Sequence, residues 1–303
     1  MLMPLVHDYL AVRRAMGFDL EWAEPTLLQF ADFASALGET HIRAATAIEW
    51  AAAGGTAGER HRRLRRIVLL ARYGRAEDPG HEIPPGDVFP RVPRKILPVI
   101  FTPDEARRLV LAGSRLSPTG SLRPRMFSAL FALLFATGLR ISEALALRFD
   151  DVTQRGLIIR ETKFRKTRLV PLHETARTGL SQYLERRRRA GALPDTLFIN
   201  LRGQPCGYRG VHKGFAQALE GAAIPRHAGR WPRIHDIRHT FAVRALEACP
   251  RGREQIARHM LALSTYLGHT RISDTYWYLQ ATPHLMRDIA DACESLLRHG
   301  GRP

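Results

Sequence analysis

Two arginines and their neighbours are the first candidates for catalytic residues in this chain, judged by residue type and spacing. Arg140 opens a predicted helix just after Gly138 ends an apolar one, and Glu143 follows on the same face. His235 and Arg238 have i, i+3 spacing, so both project from one face of another predicted helix. Planar, always-charged guanidinium groups are suited to gripping phosphate oxygens. The structural alternative is that Arg140 only pairs with Glu143.

Three further residues complete this set of candidates. Lys163 begins the basic turn Lys163-Phe164-Arg165-Lys166, His269 lies in the run LGH, and Tyr278 follows nine residues after His269. Taken singly, a histidine or tyrosine on a helix usually packs or caps. Metal binding is the rival interpretation of the histidine-rich segment 235–239, but no cysteine or carboxylate cluster accompanies it. We therefore expect no metal and no cofactor.

The net charge of the chain indicates the class of partner. Its 303 residues include 46 Lys+Arg against 29 Asp+Glu, a formal net charge of +17. This excess favours nucleic acid as the partner. The three cysteines form no CxxC pair, which fits a reducing compartment and argues against a disulfide framework or zinc ribbon. No apolar stretch is long enough to span a membrane, and the N-terminus lacks the cleavage site of a signal peptide.

The first 75 residues predict helices alone, at 5–16, 25–37, 44–53 and 59–75. Apolar residues have helical spacing along the fourth helix. On its opposite arc lie Arg62, Arg65 and Arg66. This arginine stripe is either the solvent-facing side of an amphipathic helix or a surface laid along DNA phosphates. Together with the rest of the chain, it favours DNA contact.

A proline-rich segment follows this helical region. Six prolines lie between residues 76 and 100, where neither a helix nor a central strand can run through them. The sequence Thr102-Pro103-Asp104-Glu105 then has the form of a capping box with proline at the first helical position. We therefore predict a helical domain over 1–75, an extended linker over 76–100 and a second domain over 101–303.

The second domain is predicted to be mainly helical with a small β-sheet. Helices are predicted at 103–113, 124–136, 174–190, 211–221, 236–247, 252–266, 273–279 and 284–298. Two short strands at 156–160 and 168–172 flank the basic turn that holds Lys163. The last helix carries apolar residues at helical spacing, so it packs either on its own domain or on a neighbouring protomer.

Taken together, the candidate residues resemble the tyrosine recombinase, or phage integrase, family. The motifs that carry the resemblance are ATGLRISEAL, TKFRKTRLVPL, HDIRHTFA, LGHT and then Tyr278, in the family's order and spacing. The resemblance covers the second domain, whereas the first domain is similar only in layout. The sequence TYWYL around the tyrosine resembles a transposon-associated bacterial subgroup, and the segment 249–263 is longer than the family's usual connection.

The resemblance implies a fold and a set of site residues. The fold is mainly α, with an N-terminal helical core-binding (SAM-like) domain and a mostly helical catalytic domain with a small β-sheet, the DNA breaking-rejoining enzyme fold. The implied catalytic residues are Arg140, Lys163, His235, Arg238, His269 and Tyr278. The residues expected to contact DNA are Arg62, Arg65, Arg66, Arg165 and Lys166. Tyr276 and Tyr266 are the competing tyrosines, and we expect both to pack.

The implied reaction is metal-free and ATP-free DNA strand transfer. Tyr278 attacks a phosphodiester, and Arg140, Arg238 and His269 bind the non-bridging oxygens of that phosphate. His235 assists proton transfer at the tyrosine, and Lys163 protonates the leaving 5′ oxygen. The implied partner is double-stranded DNA in the cytoplasm, on the nucleoid. The resemblance also implies that four copies act on two duplexes, alone or with related recombinases, and that the reaction recombines the DNA of a mobile element. No membrane or small-molecule substrate is expected.

Two other functions remain open on this sequence. A type IB topoisomerase uses a similar set of residues but relaxes supercoils as a monomer. A DNA-binding relative that has lost its activity would keep the charge and the helices. The presence of all six implied catalytic residues favours an active recombinase.

Overall fold

The chain divides into two compact units, Met1–Ile96 and Leu97–Pro303. The structure, a computed structural model, describes residues 2–18, 20–90, 97–162, 166–190, 194–249 and 253–268. Those residues form eleven α-helices and one three-stranded sheet. The prediction of a mainly helical fold with a small β-sheet is confirmed.

The first unit contains the four helices predicted from the sequence. They are α1 (Leu2–Ala15), α2 (Glu24–Ala36), α3 (Ala44–Ala52) and α4 (Ala57–Glu77). Their apolar faces meet in one core, where Phe30 packs edge-on against Trp50 with ring centroids 5.7 Å apart. Leu64 and Ile67 of α4 are buried in this core, which explains the helical spacing of apolar residues in the sequence.

The proline-rich segment after α4 has neither helix nor strand over residues 78–90 and 97–102. Its first part is nonetheless attached to the first unit. The ring of His81 is buried, and its Nδ1 accepts a hydrogen bond from the Ile42 backbone N–H over 3.0 Å. The carboxylate of Glu82 accepts one from the Ala44 N–H over 2.8 Å. The predicted linker therefore includes residues that pack on the helices before it.

The second unit holds seven of the described helices. They are α5 (Pro103–Gly113), α6 (Leu122–Thr137), α7 (Ile141–Ala146), α8 (Glu174–Arg189), α9 (Tyr208–Gly221), α10 (Ile234–Glu247) and α11 (Arg253–Leu267). Phe131 of α6 and Phe215 of α9 meet edge to face in the main core. A smaller apolar cluster joins α10 to α11. The helices predicted at 273–279 and 284–298 lie outside the described residues.

The capping box predicted at the start of the second domain is confirmed. The Thr102 hydroxyl accepts a hydrogen bond from the Glu105 N–H over 3.1 Å, and the Glu105 carboxylate accepts one from the Thr102 N–H over 2.8 Å. These bonds satisfy backbone donors that the first helical turn leaves unpaired. Helix α5 therefore begins at Pro103, as the sequence predicts.

The sheet is antiparallel in the order β1 (Val152–Thr153), β2 (Gly156–Thr162) and β3 (Lys166–Val170). The two-residue β1 was not predicted, because it is too short to show an alternating pattern. The strand predicted over 168–172 instead starts at Lys166 and ends before Pro171, which has no N–H to donate to a ladder. In the observed register Ile159 on β2 pairs with Arg168 on β3.

Candidate active site

The turn between α6 and α7 places Arg140. Gly138 ends α6 in the left-handed conformation, with φ of 60°. A Cβ at this glycine would lie 2.4 Å from Cδ1 of Phe241 in α10, so the turn also lets α10 approach closely. The carbonyl of Gly138 faces α10 and accepts a hydrogen bond from Arg238 over 2.8 Å. A single glycine therefore brings the two arginine-bearing motifs together.

Arg140 and Glu143 form the predicted pair. The Glu143 carboxylate accepts the Arg140 backbone N–H over 2.9 Å and its Nη1 over 2.8 Å. The side chain of Glu143 is 7% exposed, whereas that of Arg140 is 33% exposed. The pairing with Glu143 therefore leaves the side chain of Arg140 partly exposed.

Arg238 is held more tightly than Arg140. It is 2% exposed, its Nη1 donates to the Gly138 carbonyl, and its Nη2 donates to the Leu267 carbonyl over 2.6 Å. Its guanidinium is therefore almost completely shielded from solvent. The sequence predicted the position of Arg238 on its helix but not this burial.

The end of α11 is the point where both arginines meet. The Leu267 carbonyl accepts hydrogen bonds from Arg140 over 3.4 Å and from Arg238 over 2.6 Å. The next carbonyl, that of Gly268, accepts one from Arg140 over 3.2 Å. Gly268 is the residue directly before His269, so the described parts of three predicted motifs lie together.

Arg168 on β3 is a residue of this cluster that the sequence reasoning missed. Its Nη1 and Nη2 donate to the two oxygens of the Glu143 carboxylate over 3.1 and 2.9 Å. Its Nε donates to the Tyr266 carbonyl over 2.9 Å. The only signal in the sequence was an arginine in the motif TKFRKTRLVPL, at an inward-facing position of a strand.

His235 projects from the first turn of α10 and is exposed on one side. Its ring lies edge to face with that of His239, one helical turn later, with centroids 4.6 Å apart. Desolvation by the surrounding protein, and then the positive charges of Arg238 and Arg233, lower the pKa of His235 to about 4. The imidazole is therefore neutral at physiological pH.

Asp236 fixes the start of α10. Its carboxylate is fully buried and accepts the Arg233 backbone N–H over 2.8 Å and the Arg233 Nη2 over 2.9 Å. The buried charge is thus compensated by a cation and by a helix N-terminus. This cap fixes the start of the helix that carries His235 and Arg238.

Five of the candidate and competing residues lie outside the described residues, namely Lys163, Arg165, His269, Tyr276 and Tyr278. Lys166 is the first residue of β3. The competing Tyr266 packs, as predicted. Its ring stacks on Phe241 with centroids 5.5 Å apart, and burial raises its pKa to about 12. Tyr266 is therefore a poor source of a phenolate.

The arginine stripe of α4 divides into two kinds of residue. Arg62 and Arg65 are exposed, as a surface along DNA would require. Arg66 is half-buried and donates to the hydroxyl of Thr26 in α2. Burial, and then the neighbouring charge of Arg62, lower the pKa of Arg66. Arg66 therefore also ties α4 to α2.

Within the described ranges, a search for long apolar helices finds none that could cross a membrane. The same residues contain no group of three or more His, Cys, Asp or Glu side chains placed to hold a metal ion.

Comparison with known proteins gives the family of the chain. The model of the phage integrase family matches residues 100–284. A protein named as an integrase/recombinase, y4rB of Sinorhizobium fredii, is 36% identical over 295 residues, which is 93% of this chain and 94% of its own. Tyrosine recombinase XerC of Halalkalibacterium halodurans is 33% identical over 203 residues, covering 64% of this chain and 62% of its own.

Solved structures share the fold. The Tn1549 transposon integrase in complex with a circular intermediate DNA has a TM-score of 0.65 at 18% identity, covering 97% of this chain and 99% of that chain. A lambda integrase dimer bound to a COC′ core site has a TM-score of 0.61 at 18% identity, covering 91% and 76%. The chain therefore belongs to the phage integrase family of tyrosine recombinases.

Proposed function

We propose that this recombinase cleaves and rejoins DNA strands through a covalent 3′-phosphotyrosyl bond to Tyr278. The observation that carries the proposal is the meeting of Arg140 and Arg238 at the end of α11. From that point the chain continues directly into His269 and on to Tyr278. Two guanidinium groups are thus concentrated at Leu267 and Gly268, which directly precede in the sequence the segment with the proposed nucleophile.

The two arginines favour attack by a tyrosine that is almost entirely protonated at neutral pH. A free tyrosine has a pKa of about 10, so only about one phenol in a thousand is ionised at neutral pH. Arg140 and Arg238 bind the non-bridging oxygens of the phosphate, and His269 donates a further hydrogen bond. These donors lower the repulsion between phenolate and phosphate and stabilise the crowded phosphorus of the transition state.

Two further groups move the protons. The Tyr278 oxygen forms a bond to phosphorus, and its proton passes to His235, whose imidazole is neutral at physiological pH and has a free nitrogen lone pair. The bond from phosphorus to the 5′ oxygen breaks, and Lys163 donates a proton to that oxygen. The products are a 3′-phosphotyrosine and a free 5′-hydroxyl.

The energy of the broken bond is kept in the phosphotyrosine. A 5′-hydroxyl from a second duplex reverses the attack, which exchanges strands without ATP. The positive charge that other phosphoryl-transfer enzymes take from metal ions comes here from side chains. The natural role is recombination for a mobile element, which agrees with the likeness to a transposon integrase fold.

Double-stranded DNA is the proposed partner, in the cytoplasm on the nucleoid, and each unit is proposed to contribute basic residues that contact it. The support is the net charge of +17, the exposed Arg62 and Arg65, and the basic sequence that includes Arg165 and Lys166. Removing residues 1–100 should weaken DNA binding by orders of magnitude and flatten its salt dependence, because fewer counterions are released. A fragment 101–303 that binds as tightly as the whole chain would contradict a role of the first unit in DNA binding.

Four protomers are proposed to act on two duplexes, with the segment 284–298 of each docking on a neighbour. Light scattering should find monomers without DNA and larger species with it. Full strand exchange after deletion of 284–298 would argue against the docking role.

A nicked suicide substrate tests the chemistry. Cleavage releases a short strand that cannot religate, so the covalent complex accumulates and can be resolved on a denaturing gel. Tyr278→Phe keeps the ring but removes the oxygen, so it should bind DNA without forming the complex, and EDTA should not affect the wild-type rate. Mass spectrometry of peptides from the digested covalent complex should locate the adduct at Tyr278. An adduct on Tyr276, or one formed by Tyr278→Phe, would overturn the assignment, and relaxation without strand exchange would indicate a topoisomerase.

A further inference from the structure

The contacts of Arg168 go beyond what a strand residue needs for packing. All three nitrogen positions of its guanidinium are used: Nη1 and Nη2 on the carboxylate of Glu143, and Nε on the carbonyl of Tyr266. Its side chain is 14% exposed. A bidentate pair of this kind fixes both the position and the rotation of the carboxylate. Arg168 therefore determines where the two oxygens of Glu143 lie.

Those same two oxygens hold Arg140. Oε1 accepts Arg140 Nη1 and Oε2 accepts the Arg140 backbone N–H, while each oxygen also accepts one bond from Arg168. Burial alone would raise the pKa of Glu143, but the hydrogen bonds from Arg168 and Arg140 outweigh it and hold the pKa below its ordinary value. The carboxylate is therefore charged and lies between two cations.

The distribution of charge around Glu143 indicates how Arg168 affects Arg140. With Arg168 present, the negative charge of Glu143 is shared between two guanidinium groups. Without it, that charge would be balanced by Arg140 alone, which would draw Arg140 towards Glu143 and weaken its field at a bound phosphate. Arg168 thus affects both the place and the effective charge of Arg140.

We propose that Arg168 is a positioning residue for DNA cleavage, which sets the guanidinium of Arg140 by holding the carboxylate of Glu143. The inference rests on the proposed phosphate-binding role of Arg140. Arg168 does not touch the substrate, and its effect passes through its two neighbours.

A double-mutant cycle between Arg168 and Arg140 tests the proposal. Single-turnover cleavage of the nicked suicide substrate is measured at saturating protein for Arg168→Met, Arg140→Ala and the double variant. Arg168→Met should slow cleavage about tenfold to a hundredfold, as loss of an orienting partner does. The double variant should be within about twofold of Arg140→Ala alone, because the residues act in series. Defects that multiply would overturn the proposal.

Arg160→Met is the matched control. Arg160 lies in the same sheet and pairs with Asp151, a carboxylate buried as deeply as Glu143, at 5% exposed, but this pair is not bonded to Arg140. The change removes the same charge and should leave the cleavage rate within about twofold of wild type. An equal loss in both variants would show a general charge effect and contradict the proposal.

A substrate with sulfur in place of the 5′ bridging oxygen separates this role from one exerted through Lys163. A thiolate leaves without a proton, so a defect in Lys163 would be rescued. The Arg168→Met defect should persist, and its rescue would overturn the proposal.

If wild type forms no covalent complex, the proposed function fails. If wild type cleaves and Arg168→Met cleaves as fast, only the role of Arg168 fails.

A second variant guards against misfolding. Arg168→Lys keeps the charge but cannot make the paired bonds, so it should bind DNA normally and fall between wild type and Arg168→Met in rate. Thermal melting of each variant identifies any that is unfolded. If Arg168→Met does not fold, the cycle is run with Arg168→Lys, and the same non-additive result is expected.

Discussion

Arg140 and Arg238 donate hydrogen bonds to the same backbone oxygen, the carbonyl of Leu267, over 3.4 and 2.6 Å. The two arginines come from different helices, and the carbonyl belongs to a third. A shared acceptor of this kind draws two like charges together, which would otherwise repel. The consequence is a compact pair of cations beside the residue that precedes His269.

Replacing each arginine should separate catalysis from stability. Arg140→Ala and Arg238→Ala should both bind DNA and should both lose at least a hundredfold to a thousandfold in cleavage rate, roughly the effect of removing a transition-state donor. Arg238→Ala should also lower the free energy of unfolding by about 1–3 kcal/mol, because the buried Gly138 carbonyl loses its donor and the Leu267 carbonyl keeps only the longer bond from Arg140. Arg140, at 33% exposed, should have a smaller effect on stability. Denaturant titration and single-turnover rates measure the two effects. Equal stability losses would contradict the difference in burial.

Gly268 should tolerate no side chain. It has φ of 66°, and a Cβ there would lie 2.9 Å from Nη1 of Arg168. Gly268→Ala should therefore displace Arg168 and slow cleavage by about tenfold or more. Gly203→Ala is the control, since Gly203 has φ of 74° but nothing within 4 Å of its Cβ position. Both variants bear the backbone strain of about 1–2 kcal/mol, so the difference between them reports the surroundings of Gly268, which are the contact with Arg168 and the bond from Arg140 to the Gly268 carbonyl. Similar cleavage rates for the two would show that this contact is unimportant.

The buried His239 should make stability depend on pH. Burial, and then the charge of His235, lower its pKa to about 3. Below the ordinary pKa of about 6.5 the unfolded chain takes up a proton that the folded chain does not, so the free energy of unfolding falls as the pH is lowered. This loss continues down to the folded pKa, with a slope of at most about 1.4 kcal/mol per pH unit from this residue. His239→Gln should flatten the dependence between pH 7 and pH 4.5 in denaturant titrations. Parallel curves for variant and wild type would count against it.

Loss of Lys163, unlike loss of an arginine, should be rescued by a substrate with a better leaving group. Lys163→Ala removes the proposed acid, so cleavage of ordinary DNA should fall by about a hundredfold or more. A 5′ bridging sulfur should restore the rate, because a thiolate needs no proton to leave. Arg140→Ala on the same substrate is the comparison, and it should stay slow. A Lys163→Ala defect that persists with sulfur would assign the acid to another residue.

Much of the fold could be predicted because its signals are local. The capping box at Thr102 and Glu105, and the glycine that ends α6, are determined by a few neighbouring residues and are observed where predicted. The helical spacing of Leu64 and Ile67 likewise reports a buried face. The pairing of Arg140 with Glu143 is local too, since both lie within one helical turn.

The sequence alone also determined the family and the candidate residues, since five motifs stand in order along one chain. Tertiary structure decided which of these residues are accessible and which other residues support them. The burial of Arg238, the bond from Arg66 to Thr26, and the contact of Arg168 with Glu143 each join distant segments. The strand position of Arg168 does not indicate its partner, because the partner is set by how α7, β3 and α11 pack. Residue type and spacing encode local geometry, whereas burial and long-range ion pairs depend on the folded arrangement of the whole unit.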